Sequence, residues 1–307
     1  MKVYTRVEKL MGSVFTLGIA AASDSQAAQL LDMGIAEIRR IEDILSEFKP
    51  DSETSLINRS VPGKPVTVSA ECFAIIKRSL DMAKLTKGDF DITVGPLKKL
   101  YRFKNTAFAM PTPEEIRSTL QTIGHTKILT DEAAQTVGFI AEGMQISFAA
   151  IGKGYAADRV KMLWKNAGVI SGYINASGDL CAFGHKPDGQ PWTVGIANPD
   201  NPAEILLYIP LKDAAVATSG DYEQHFIHDG RRYSHNIDPH SGLPISGIKS
   251  VSVFSPAAEL SDALATAVYV KGISKGMDFI NQLPHTHCLI IDEYNTIHTS
   301  TELNLSI

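Results

Sequence analysis

Short apolar runs crowd the second half of this chain and limit what it can fold into. They lie near residues 171–176, 179–184, 191–197, 204–211, 214–218, 225–228, 231–236 and 248–254. Helical periodicity falls on either side of them, so strands and helices never settle into a regular βαβ beat. That pattern reads as α+β, with mixed or antiparallel sheets and flanking helices, rather than a doubly wound sheet. Residues 24–46 form the strongest amphipathic helix, with Ala28, Leu31, Ile35, Ile38, Ile41, Ile44 and Leu45 at helical spacing. Ser23 is its expected N-cap, and Gln26 would complete a capping box. Further helices are expected at 69–85, 111–122, 152–167, 261–270 and 274–283. Strands are expected within 3–21 as a hairpin around Gly12, at 126–130, 135–140 and 144–149, and in a closing hairpin over 287–299. Residues 51–55 read as a polar turn.

Composition excludes several classes. The net charge is −5 and no basic run occurs, so nucleic acid is not an expected partner. The densest basic pairs, Lys98-Lys99 and Arg231-Arg232, read as solvated surface. Cys72, Cys181 and Cys288 lack metal-type spacing and read as buried apolar residues without a disulfide. Residues 10–22 are apolar but too short to span a bilayer, and they alternate like a strand. The chain reads as cytoplasmic, without a transmembrane segment. A cleaved leader would instead make it periplasmic or membrane-anchored.

Chemistry concentrates in a few segments. Ser234-His235-Asn236-Ile237-Asp238-Pro239-His240-Ser241-Gly242-Leu243-Pro244 is too polar and too rich in turn formers for a core strand. His235 and Asp238 can each polarise a group or accept a proton, though a purely structural histidine is the commoner case. Asp262 and Thr266 lie four apart in a mostly apolar helix, hence on one face. Two hard oxygen donors so placed suit magnesium-assisted phosphoryl transfer, and a helix-start acid with a core threonine is the plainer alternative. Gly152-Lys153-Gly154 opens a helix where small residues allow close approach of a phosphate; a tight strand–helix corner explains the same glycines. Asn175-Ala176-Ser177-Gly178-Asp179 and Thr218-Ser219-Gly220-Asp221-Tyr222 read as polar turns. Ser219 lacks the flanking glycines of a nucleophile elbow.

Taken in order, these segments resemble the ApbE family, the FAD:protein FMN transferases. Glu53-Thr54-Ser55-Leu56-Ile57-Asn58, Phe90-Asp91-Ile92-Thr93-Val94-Gly95-Pro96-Leu97, residues 150–158, residues 175–179, residues 235–244 and residues 261–266 each match a family element. The resemblance implies an ApbE-like flavin transferase fold over residues 1–307 as a single domain, with two subdomains around the FAD site as the alternative. It implies Mg²⁺-dependent transfer of FMN from FAD to a Ser or Thr hydroxyl of an acceptor flavoprotein subunit, with AMP leaving. Asp262 and Thr266 match the family's metal ligands, completed by a backbone carbonyl near Ala149 or Ala150, with Ala150 the residue taken. Met11 and Phe48 fall where the family contacts flavin or adenine. Asn58, Thr93, Val94, Gly95, Pro96, Ser147, Lys153 and Ile237 would complete FAD binding. His235 matches the proposed general base, and Asp238 joins it as a catalytic candidate. Ser147 stands where the family often has Asp, and Ser177 where it commonly has Gly. An FAD pyrophosphatase and a non-catalytic flavin-binding protein are the rival readings.

Overall fold

The computed structural model describes residues 1–101, 110–220, 225–228, 231–301 and 303. In chain order the elements begin with β1 (Lys2–Leu10), β2 (Ser13–Ala21), α1 (Asp24–Leu45), α2 (Glu53–Asn58), β3 (Val66–Thr67), α3 (Ala70–Leu85), α4 (Gly95–Tyr101) and α5 (Pro113–Leu120). Next come β4 (Ile128–Asp131), β5 (Thr136–Phe139), α6 (Gly152–Asn166), β6 (Gly172–Ala176), β7 (Asp179–Phe183), β8 (Trp192–Asn198) and β9 (Asn201–Leu211). The chain finishes with β10 (Ala215–Gly220), β11 (His225–His228), β12 (Arg231–Ser234), β13 (Ile248–Ser255), α7 (Ala258–Lys271), α8 (Ile273–Ile280), β14 (His287–Asp292) and β15 (Ile297–Thr299). The α+β reading holds. An eight-stranded sheet in the order β1-β2-β6-β7-β10-β13-β14-β15 runs antiparallel throughout and draws strands from both ends of the chain.

Both faces of the sheet are covered, which explains why its central strands are apolar without strict alternation. On one face α1, α3 and α6 pack over β2, β6 and β7, around Leu17, Ile38, Ile76 and Trp164. Helices α7 and α8 continue that layer over β10, β13 and β14. On the other face the β8–β9 hairpin covers Leu180, Val216, Phe254 and Leu289. Gly18 of β2 lets the Tyr173 ring lie across it, since a Cβ there would stand 2.1 Å from the ring. Among the described residues, no helix is long and apolar enough to cross a membrane. The three cysteines are buried and free.

Local expectations fail in four places, each for a stated reason. Gln26 does not close a capping box with Ser23; its side chain accepts the Ala22 N–H while Ser23 Oγ caps Gln26 N–H. Residues 53–55 are not turn but the start of α2, capped by Ser52 Oγ on the Ser55 N–H. Residues 144–149 alternate buried and exposed as a strand would, yet they pair with no strand. The Asn58 amide takes both backbone groups of Ile146, and Ser147 N–H donates to the Ile92 carbonyl. Residues 218–220 continue β10 rather than turning, paired with Ser250, Val251 and Ser252 of β13; Asp221 and Tyr222 of that expected turn lie outside the described residues.

Candidate active site

Helix α7 is apolar around most of its girth, so its polar residues stand out. Its first turn is anchored from α6, where the Asp158 carboxylate accepts the Ala258 and Glu259 N–H groups at 3.0 and 2.9 Å. An acid at a helix N-terminus satisfies orphan donors and complements the dipole. The two helices touch at Gly154, where a Cβ would meet the Ala258 carbonyl oxygen at 2.3 Å. That closeness lets Gly154 N–H donate to Asp262 Oδ2 at 3.2 Å. We expect Gly154→Ala to push α6 and α7 apart, costing about 1–3 kcal/mol of stability, as overpacking does. An unchanged midpoint in urea unfolding would contradict this contact.

Asp262 is 6% exposed. Burial pushes its carboxyl up to about 7, and the neighbouring Asp179 carboxylate adds to the rise, against Lys153 and the Gly154 N–H. Lys153 Nζ lies 2.6 Å from Asp179 Oδ2, and Asp179 Oδ1 accepts the Thr218 N–H. Thr266, one turn beyond Asp262, places its hydroxyl 3.3 Å from Ser219 Oγ. The Gly154 N–H, which in an extended helix would return to the Ala150 carbonyl, goes to Asp262 instead, leaving that carbonyl outside the ladder. A carboxylate, a hydroxyl and a backbone carbonyl are all hard oxygen donors, and a buried acid beside a second acid asks for a cation. The residues therefore fit a magnesium-type ion.

Above this floor opens a cavity of about 870 Å³, within the range of small-molecule sites. Met11, Glu47, Phe48, His235 and Asn236 are among the residues that line it. Phe48 is 88% exposed, an aromatic ring that lines the cavity yet stays open to solvent. A smaller recess of about 30 Å³ adjoins, lined by Val94 and Ile237 and sharing Lys98, Ser147, Ala150 and Thr266 with the large cavity. Ser147 Oγ donates to Glu47 Oε1 at 3.0 Å, so the serine brings a carboxylate to the wall by hydrogen bond instead of carrying its own.

The structure thus gathers Met11, Phe48, Val94, Gly95, Ser147, Ala150, Lys153, His235, Ile237, Asp262 and Thr266 around connected space. Asn58, Thr93, Pro96 and Asp238 stand apart from it. Asn58 holds Ile146, as above, and so positions Ser147. Thr93 is fully buried, donating from Oγ1 to Asp91 Oδ1 at 2.6 Å and accepting the Gly124 N–H. Pro96 sits in the first turn of α4.

Asp238 lies in the turn after His235, outside the residues that line either cavity. Its carboxylate is consumed by its own turn, accepting the His240 N–H, the Ser241 N–H and the Ser241 hydroxyl, the last at 2.6 Å. The turn is further held by the Ile237–Pro244 bridge and by His240 Nε2, 3.1 Å from Asp89 Oδ1. Asp89, Asp238 and His240 converge closely enough to suggest a metal cluster, but Asp89 already pairs with Lys271 of α7. The group clamps the turn that presents His235. Sequence reasoning missed Glu47 and placed Lys98 on the solvated surface; Lys98 instead lines both cavities, and burial pushes its ammonium's pKa down. No local signal marks either residue, because only packing turns them inward.

The ApbE family profile matches residues 11–290. The chain belongs to the ApbE family. Among its relatives, the FAD:protein FMN transferase of Klebsiella pneumoniae (strain 342) is 29% identical over 99% of this chain and 94% of that one. The FAD:protein FMN transferase of Vibrio cholerae serotype O1 is 33% identical, over 80% and 75% respectively. The crystal structure of the ApbE protein from Thermotoga maritima superposes with a TM-score of 0.89 at 31% identity, covering 98% and 97% of the two chains. The Pseudomonas stutzeri flavinyl transferase ApbE in its apo form gives 0.86 at 27% identity, covering 98% and 95%.

Proposed function

We propose that this protein transfers the FMN half of FAD to a serine or threonine hydroxyl of an acceptor protein, with AMP as the leaving group. One observation carries the reading: His235 and the oxygen pair Asp262–Thr266 line the same cavity, in a chain whose relatives are named for FMN transfer. The acceptor oxygen attacks the FMN phosphorus, a new P–O ester forms, and the bond from that phosphorus to the bridging oxygen breaks. AMP carries the bridging oxygen away. His235 takes the proton that the hydroxyl loses.

Asp262, Thr266 and the Ala150 carbonyl would hold Mg²⁺, which when bound offsets the negative charge of the diphosphate. The chain's own residues supply the rest. The Gly154 N–H fixes the Asp262 carboxylate. Ser219 sits against the Thr266 hydroxyl. Lys153 neutralises Asp179 and so keeps a second acid from repelling the substrate phosphates. The clamp of His240, Asp89 and Lys271 holds the turn behind His235. Phosphoryl-type transfer draws mainly on such positioning and charge balance. The reading treats residues 1–307 as one unit, supported by a sheet with strands from both ends.

Incubation with FAD, Mg²⁺ and a protein bearing exposed serine and threonine should leave yellow fluorescence on the acceptor after denaturation, with its mass raised by one FMN. Free FMN and AMP with an unlabelled acceptor would favour the pyrophosphatase instead. Intact FAD would leave a binding protein.

A further inference from the structure

Four lysines, Lys49, Lys98, Lys99 and Lys153, line the large cavity, and they differ in what they face. Lys49 is paired with Asp43. Lys153 is paired with Asp179, and Lys99 donates to Gln145. Lys98 projects from α4 into the wall shared by both cavities, beside Ser147, Ala150, Asn236 and Thr266. Among the described residues its ammonium has no hydrogen-bond or ion-pair partner. The carboxylates of Glu47 and Asp262 act on it only through space. Lys98 is half-buried in that wall, and an anion on a bound ligand would supply the complement that its ammonium lacks.

We infer that Lys98 binds the diphosphate of FAD, gripping it from α4 next to the oxygen set of Asp262 and Thr266. This rests on the transferase reading for the identity of the ligand. The choice of contact follows from charge. The isoalloxazine and adenine rings are neutral near pH 7, and so is the acceptor hydroxyl. The diphosphate is the permanently anionic part of FAD, and it must also reach Asp262 and Thr266 if a cation there is to serve it. Lys98 shares the recess with Thr266, so one phosphate group can meet both. A lysine acts as a point charge on phosphate, and arginine can substitute in part.

The test uses the full-length protein without metal, so that FAD is bound but not consumed. Flavin fluorescence quenching gives the affinities for FAD and for riboflavin, which lacks the diphosphate. Lys98→Met keeps the stem and removes the charge. It should weaken FAD binding roughly 10- to 100-fold, the loss of one charge-assisted hydrogen bond, and leave riboflavin unchanged. Lys98→Arg should recover most of the FAD affinity. Unchanged FAD affinity in Lys98→Met, or equal losses for FAD and riboflavin, would overturn the assignment. A wild type that binds FAD yet never labels an acceptor with Mg²⁺ overturns the transferase reading alone, and the FAD-against-riboflavin comparison still decides Lys98.

Discussion

Asp262→Asn is expected to cut FMN transfer roughly 1,000-fold or more and at the same time to make the metal-free protein more heat-stable near neutral pH. The first effect follows from the loss of the one carboxylate in the oxygen set, since charge stabilisation by a bound metal amounts to several kcal/mol. The second follows from proton linkage. The Asp262 carboxyl moves from an ordinary value of 3.8 to about 7 on folding. Between those values the folded protein holds a proton that the unfolded chain has released, so stability falls as pH rises through that window. Above about 7 both states are ionised and the penalty stays constant. The melting temperature of the metal-free wild type should therefore drop between about pH 4 and about pH 7, and that of Asp262→Asn should drop less. Added Mg²⁺ should raise the wild-type melting temperature and leave the variant unmoved. A variant that still gains heat stability from Mg²⁺ would refute the assigned ligand.

His235→Ala is expected to slow transfer by about 100- to 10,000-fold, the usual contribution of a general base, with FAD affinity close to wild type. The residue directly follows β12 and lines the cavity, while the clamp through His240 and Asp89 holds its turn independently. Truncating the imidazole therefore removes a proton acceptor without releasing the loop. Full activity in His235→Ala would give the proton to another group.

Some of this was legible in the chain and some was not. The long helix α1 announced itself through its apolar period and the Ser23 cap, because both signals are local. Helix α2 did not, since six residues are too few to display a period. Residues 144–149 carried a true alternation, but alternation reports burial, not pairing. Their partner is the Asn58 side chain, brought from 88 residues away. Residues 218–220 looked like a turn because Thr, Ser and Gly favour one, yet pairing with β13 outweighs that weak preference.

The site divides the same way. Asp262 and Thr266 could be read as a pair because four residues make about one helical turn, whatever surrounds the helix. His235 could be found because its turn is too polar to be core. For Asp238 the sequence shows that a carboxylate is present, and only the structure shows that its own turn donates hydrogen bonds to it. Glu47 and Lys98 gave no sign, since they enter the cavity only after α1, α4 and the segment 144–149 have packed.

The order of residues by itself determined the α+β class and which atoms within one turn of each other could act together, because those distances are set by the local backbone. Only the tertiary structure decided that Gly154 and Asp262, 108 residues apart, would share a hydrogen bond. It also decided that Lys98 would face inward. Both depend on how closely two helices and a sheet approach, and that is set by whole-chain packing and by one missing Cβ, not by any neighbouring residue.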